Sequence, residues 1–255
     1  MDDRLSNGRK WLRANWHELE DFQSDQQLRK PAPPLQQEYD PNLRTVNLPA
    51  ADSLALGALS LGEAIARRKS RRQYDTTAAI NLAELSFMLW ACQGVRQLAP
   101  SGKASLRTVP SGGARHTFET YLVVRRVEGL EPGIHRYLPF DNRLLCLGQP
   151  EGLDAEVTAA CQGQRCAAQA AVLFIWTTVP CRAEWRYGPV SHKMIAIDAG
   201  HACQNLYLAC ESVDCGMVAI GAYDQQSMDR LLGVDGVEEF ALYAAPVGKL
   251  PPQRE

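Results

Sequence analysis

The stretch Arg67-Arg68-Lys69-Ser70-Arg71-Arg72-Gln73-Tyr74 sets four guanidinium groups and one ammonium around a single serine. Charges at this density cannot be buried unpaired, because stripping water from an isolated ion is too costly. They stay in water or they grip an anion. Arg68-x-Ser70-x-Arg72 offers a hydroxyl donor between two guanidinium forks, and such a fork fits phosphate oxygens in bidentate fashion. The run follows an apolar helical stretch, Leu59 to Ala66. A solvated basic helix end, where cations suit the macrodipole, is therefore the plainer alternative.

Two further segments could meet a flat ligand. Pro110-Ser111-Gly112-Gly113 lets a backbone approach closely, since glycine has no Cβ. Val218-Ala219-Ile220-Gly221-Ala222 offers small residues whose amides could line a ring. Each has an ordinary explanation, the first as a turn and the second as a tightly packed strand end.

The elements that must carry these residues are legible in outline. Residues 1–58 read as an arm: Trp11, Leu12, Trp16, Leu19 and Phe22 recur at helical spacing, and Lys30-Pro31-Ala32-Pro33-Pro34-Leu35 must be extended. The arm is expected to lie as a strap over a domain spanning residues 59–255. In that domain Leu82, Leu85, Met88, Leu89 and Cys92 mark a helix face, opened by an Asn81 cap with Glu84 three residues on. Phe118 to Val124 reads as a strand, and Pro139 to Asn142 as a turn between two more. Ala170 to Trp176 is apolar on both faces, as a central strand would be. A stripe from Ala199 to Val213 predicts a long helix, Cys215 to Gly221 a strand and Met228 to Leu232 a short helix. Phe240 to Ala245 predicts the last strand. Strands and helices do not alternate regularly, so the class is α+β.

Composition narrows the function. The 255 residues carry a net charge of -2 with 45% apolar residues, which favours neither nucleic acid nor a membrane surface as partner. No apolar run is long enough to span a bilayer, and Met1-Asp2-Asp3-Arg4-Leu5 lacks the apolar stretch of a signal peptide. A cytoplasmic protein is expected. The eight cysteines are scattered, with no Cys-x-x-Cys, and read as buried reduced thiols. The five histidines are equally dispersed, and no metal site is expected. The common zinc-protease, hydrolase and dinucleotide motifs are missing.

Taken in order, the segments resemble the FMN-dependent nitroreductase family, and within it the SagB-type azoline dehydrogenases. The residues carrying the resemblance are Arg67 to Tyr74, Leu89 to Val95, Arg107 to His116, Glu128 to Tyr137, Asp198 to Leu206 and Gly216 to Tyr223. It covers roughly residues 59 to 249.

The resemblance implies a nitroreductase-like fold: a central, mostly antiparallel sheet flanked by helices, in an intertwined homodimer with FMN at the subunit interface. It implies that Arg68, Ser70 and Arg72 bind the FMN phosphate and ring-side polar atoms, and that Lys249 closes on the phosphate. Pro110, Ser111 and Gly112 would reach the FMN of the partner subunit, and Ala219, Ile220, Gly221 and Ala222 would line the isoalloxazine. The activity implied is hydride exchange at flavin N5 with a small-molecule or peptide-borne substrate, with NAD(P)H a candidate reductant. A non-catalytic flavin-binding or scaffold subunit of a biosynthetic complex is the alternative. In azoline-oxidising members a Lys-Tyr pair precedes the Asp-x-Gly-His helix, but here Glu184-Trp185-Arg186-Tyr187-Gly188 puts arginine in the lysine position. Arginine stays charged and is no base near neutral pH. Tyr187 remains as the acid or positioning group, with Arg186 beside it. His116, at the start of a strand beside the Pro-Ser loop, is the next catalytic candidate. His201, at a helix start, is the weaker one.

Overall fold

A strand buried on both faces reads as an almost continuous apolar run, and Val172–Thr178 (β7), apolar from Val172 to Trp176 and buried throughout, shows the consequence. In the computed structural model, which describes residues 3–13, 16–50 and 56–252, β7 lies near the middle of a seven-stranded sheet. The other strands are Thr45–Asn47 (β1), Phe118–Val124 (β4), Gly133–Leu138 (β5), Arg143–Gly148 (β6), Cys215–Met217 (β8) and Phe240–Lys249 (β9). Their order is β1-β6-β5-β4-β7-β9-β8, and every neighbouring pair is antiparallel. Val95–Leu98 (β2) and Ser105–Arg107 (β3) form a separate hairpin.

The period of two along the strands sorts the core into two layers. Phe118, Leu122, Val172, Phe174 and Trp176 face one way, against the helices Leu82–Gln93 (α3) and Ser191–Glu211 (α7). Tyr121, Val123, Leu173 and Ile175 face the other, against Leu153–Ala160 (α4), Arg165–Gln169 (α5) and Gln225–Leu232 (α8). The structure thus has the α+β class expected, with helices on both faces of an antiparallel sheet.

α3 starts where its cap predicts. Asn81 Oδ1 accepts from Glu84 N–H at 2.9 Å, and Glu84 Oε2 accepts from Asn81 N–H at 3.0 Å. α7 begins eight residues earlier than the apolar stripe suggests, at Ser191. Its first turn is polar outward, and the break upstream is Gly188-Pro189, where proline suits a helix start. His201 is therefore exposed in the middle of α7 and not at its start. The strand predicted from Cys215 to Gly221 stops at Met217, after which only Ile220 pairs, with Ala244. All eight cysteines are free.

The single amphipathic helix expected from Trp11 to Phe22 is instead Asp3–Leu12 (α1), with no buried residue, followed by a 3-10 turn at Trp16–Leu19. Beyond it the chain lies over the domain. Arg182 Nε donates to the Pro34 carbonyl at 2.8 Å, and Arg136 Nη2 to those of Gln37 and Glu38 at 3.1 Å. A proline-rich extended segment has carbonyls to spare, because it forms no internal hydrogen bonds. These acceptors satisfy arginines that are themselves buried, with Arg182 further paired to Glu119 at 2.5 Å. β1 then joins the sheet edge beside β6, so residues 45–47 pair into the sheet.

Candidate functional site

The basic run begins at the last residue of a helix, Arg67, and is extended from Arg68 onward. Leu61–Arg67 (α2) is fixed at its start by a capping box of Ser60 and Glu63 and stops at Arg68. The chain then runs beside β8: Ser70 bridges Met217, and Arg71 N–H donates to the Met217 carbonyl at 2.8 Å. Side chains consequently alternate. Arg71 turns inward and pairs with Glu211 at 2.9 Å, while Ser70 and Arg72 are exposed. Arg72 makes no hydrogen bond or ion pair among the described residues and lines a surface cleft with Gln73, Asp214 and Leu250.

Tyr207, on α7, ties this segment to the small-residue segment. Its hydroxyl accepts from Ala219 N–H at 2.9 Å and shares a hydrogen bond with Ser70 Oγ at 3.0 Å. The Arg68 guanidinium lies 5.3 Å from the centre of the same ring. Arg68, Ser70 and Ala219 thus meet on one side chain, with Gly221 and Ala222 exposed just beyond. A Cβ on Gly221 would meet nothing closer than 4.0 Å, so its backbone faces open space. The Ile220 backbone is already used, pairing with Ala244 at 2.7 and 3.1 Å. Lys249 Nζ is held by Glu84 Oε1 at 2.6 Å and the Val213 carbonyl at 2.9 Å, which leaves it tied to the start of α3.

The Pro110 loop belongs to a second grouping. Gly112 N–H donates to the Asp198 carboxylate at 3.0 Å, and Ser111 Oγ accepts from His116 N–H at 2.9 Å. Burial pushes the Asp198 carboxyl above its ordinary pKa, while the Ser111 hydroxyl and the Gly112 amide pull it back. Both glycines lie close to neighbouring side chains. A Cβ on Gly112 would strike Met194, and one on Gly113 would sit 2.5 Å from Tyr187 Oη and 2.8 Å from Arg186 Cδ. Gly113 also has φ +58°, a conformation glycine adopts freely. The Pro110 loop therefore lies directly on the Arg186–Tyr187 pair, which ends the helix Cys181–Tyr187 (α6). Arg186 is exposed, with its guanidinium 5.4 Å from the Tyr187 ring centre, and Tyr187 meets Trp16 edge to face at 6.1 Å.

His116 is enclosed. It precedes β4 with φ +45°, is 4% exposed, and its carbonyl accepts from Arg182. Burial, seconded by Arg107, lowers its pKa to about 3, so the ring is neutral and away from solvent. Pro110 is exposed beside it.

The two groupings are both anchored on α7 but stand apart. Asp198 and Tyr207 are nine residues apart on that helix, roughly 13 Å at 1.5 Å per residue. Sequence reasoning missed Tyr207, Asp198 and Met194 as organising residues. Tyr207 had a signal: a phenol inside an otherwise apolar helix stripe must find a hydrogen-bond partner when buried. Among the described residues no group of His, Cys, Asp and Glu is arranged to hold a metal ion, and no helix is long and apolar enough to cross a membrane.

The sequence profile of the Nitroreductase family matches residues 65–249. This chain belongs to that family. It is 29% identical over 191 residues to MJ1384 of Methanocaldococcus jannaschii, a protein bearing the name nitroreductase, covering 75% of this chain and 91% of that one. Two solved structures named as nitroreductases share the fold. The one from Ralstonia eutropha has a TM-score of 0.67 at 21% identity, covering 88% of this chain and 100% of the other. The one from Anabaena variabilis has a TM-score of 0.66 at 22% identity and covers 83% of this chain, which spans only 42% of that longer one. The Escherichia coli microcin synthetase McbBCD complex, solved with truncated pro-MccB17 bound, contains a chain with a TM-score of 0.59 at 13% identity, covering 85% of this chain and 78% of that one. At these identities the structures establish the fold alone. Family membership makes the protein an oxidoreductase by class.

Proposed function

We propose that this chain is an FMN-dependent oxidoreductase of the SagB-type dehydrogenase-like branch, acting as a homodimer on a small-molecule or peptide-borne substrate. The observation that carries the proposal is the junction at Tyr207. It gathers Arg68 and Ser70 with the Ala219 segment, beside an unpaired Arg72 and an open backbone at Gly221. Cations next to an open glycine backbone fit a phosphorylated planar ring. Bound there, FMN would supply two-electron hydride chemistry that no side chain of this protein can perform.

The rest falls to the chain. Arg68 and Arg72 would neutralise the phosphate, and Ser70 would donate to a phosphate or ring-side oxygen. Ala219, Gly221 and Ala222 would border the ring with their backbone, while buried Ile220 holds that border to β9. Lys249, engaged by Glu84, would keep the end of β9 in register beneath the phosphate segment. Tyr187 would hold or move a proton at Oη on the substrate side, and Arg186 would supply fixed positive charge next to it.

A homodimer is supported by two features. The Pro110–Gly113 loop lies on Arg186 and Tyr187 of its own chain, about nine α7 residues from the Tyr207 junction, so it suits a partner's cofactor better than its own. Leu61 and Ile65 on α2 and Leu98 and Leu106 on the β2–β3 hairpin are also exposed, apolar side chains that a second copy would cover. The peptide named in the McbBCD structure is the reason to keep peptide-borne substrates in view.

Anaerobic mixing of the FMN-loaded chain with NADH or NADPH, followed by an acceptor panel of quinones, nitroaromatics and a thiazoline peptide, tests the enzyme reading. Bleaching and reoxidation by any acceptor supports it. A bound flavin that cannot be cycled, even after dithionite reduction, points to the non-catalytic subunit instead.

A further inference from the structure

The N-terminal arm makes a cleft that the flavin reading does not use. α1 and the Trp16–Leu19 turn border, with the start of α7, an open cleft of about 410 Å³, within the range of ligand-sized sites. Its walls are chemically one-sided. Trp11 and Trp16 give two indole rings, Met194 and Ile197 give an apolar floor, and Lys10 and Arg13 stand at the rim. No carboxylate lines it among the described residues. The Lys193 ammonium is committed to the Leu12 carbonyl at 2.5 Å, which fastens α1 to α7. Lys10 and Arg13 therefore face the cleft with no carboxylate beside them among its described lining residues.

The cleft is continuous with the second grouping of the site. Trp16 is the edge-to-face partner of Tyr187, and Met194 is the side chain that Gly112 packs against. Phe22, further along the arm, fills the space at Gly188, which has φ +53° and no room for a Cβ. The arm therefore grips the Tyr187–Gly188 corner on both sides.

We propose that this arm-built cleft is the substrate subsite and that it selects a planar aromatic carboxylate. The proposal rests on Tyr187 being the substrate-side residue of the flavin site. The ring lies against Trp11 and Trp16, where stacking gives affinity, and the carboxylate is held by Lys10 and Arg13, which meet no carboxylate among the described lining residues. A neutral ring keeps only the first contribution, and an aliphatic acid only the second.

The test is calorimetric titration of the full FMN-loaded chain with 2-naphthoate, 2-naphthalenemethanol and cyclohexanecarboxylate, with flavin content measured on the same samples. The naphthoate should bind about tenfold or more tighter than either of the others. Lys10→Gln with Arg13→Gln should weaken naphthoate about 3- to 30-fold, the range for charge-assisted contacts at a solvent-exposed site, and leave the alcohol unchanged. Trp16→Leu should weaken both aromatic probes. These side chains are exposed, so unchanged melting temperatures are expected and check that the variants fold. Equal binding of acid and alcohol, naphthoate binding that survives the double substitution, or no binding of any probe overturns the subsite. Loss of flavin with naphthoate binding intact would count against the flavin assignment and leave the cleft standing.

Discussion

Tyr207→Phe isolates the junction on which the cofactor assignment depends. The substitution keeps the ring, and with it the Arg68 contact, and deletes one oxygen. That oxygen accepts from Ala219 N–H at 2.9 Å and shares a hydrogen bond with Ser70 Oγ at 3.0 Å. Ser70 is exposed, so its hydroxyl turns to water at little cost. The Ala219 amide is half-buried beneath the ring and is left without an acceptor. An orphaned donor of this kind costs about 1–3 kcal/mol when fully buried; half-buried, about 1–2 kcal/mol is the working figure. If the 68–72 and 218–222 segments need each other only to form the cofactor surface, this appears as an FMN Kd raised about 5- to 30-fold. Tyr223→Phe is the control, because its hydroxyl donates to the Ala241 carbonyl at 3.0 Å away from the junction. It should lower the melting temperature by about 2–4 °C per kcal/mol and leave FMN affinity within about twofold. The assay is fluorescence titration of FMN into the apo chain alongside thermal unfolding. If Tyr207→Phe behaves like Tyr223→Phe, losing stability but not FMN affinity, Tyr207 is an ordinary core tyrosine and the reasoning fails.

Three further outcomes follow from the same geometry. Gly113→Ala puts a methyl group against Tyr187 Oη and Arg186 Cδ at φ +58°; it should destabilise by about 1–2 kcal/mol for the left-handed backbone alone and reduce turnover by displacing the pair, seen in steady-state rates and melting. Tyr187→Phe should cut turnover about 10²- to 10⁴-fold if Oη moves a proton, with FMN content unchanged by absorbance; near-normal turnover would move the proton transfer elsewhere. His116 supplies a pH dependence. Its folded pKa, lowered to about 3 by burial and Arg107, lies below the ordinary histidine value, so the unfolded chain takes up the proton first. Its contribution to stability is complete above about pH 6.5 and is lost as pH falls towards 3; His116→Gln should flatten the change in melting temperature between pH 7 and pH 5.

Much of the fold is legible in residue patterns. The Asn81–Glu84 cap, the continuous apolar run of β7 and the turn at Pro139–Asn142 each carry their own local cause, and that cause survives in the folded protein. What stays hidden depends on partners far away in sequence. β1 is three residues long and exists because β6 offers it an edge. The basic run reads as a helix end because it follows α2, yet β8 pulls it straight through Arg71 N–H and the Met217 carbonyl. The first turn of α7 was invisible because its outward residues are polar. The site divides the same way. The types of Arg68, Ser70, Gly112 and Gly221 announce what they could touch, but Tyr207 joins Ser70 to Ala219 across separations of 137 and 12 residues. Nothing local in the sequence announces that. His116 was singled out for its neighbours in sequence, whereas its environment is set by Arg107, Arg115 and Arg182, which enclose it.

The most direct test of the account is an FMN binding isotherm for this chain and its Arg72→Ala variant, read by flavin fluorescence with the mass of the complex measured by sedimentation. The account predicts one FMN per chain on a species of about twice 28.2 kDa, with affinity weakened about tenfold or more by Arg72→Ala, since a charge-assisted contact contributes about 1.5–3 kcal/mol. A chain that takes up no FMN, or a flavin-loaded monomer indifferent to Arg72, would contradict it.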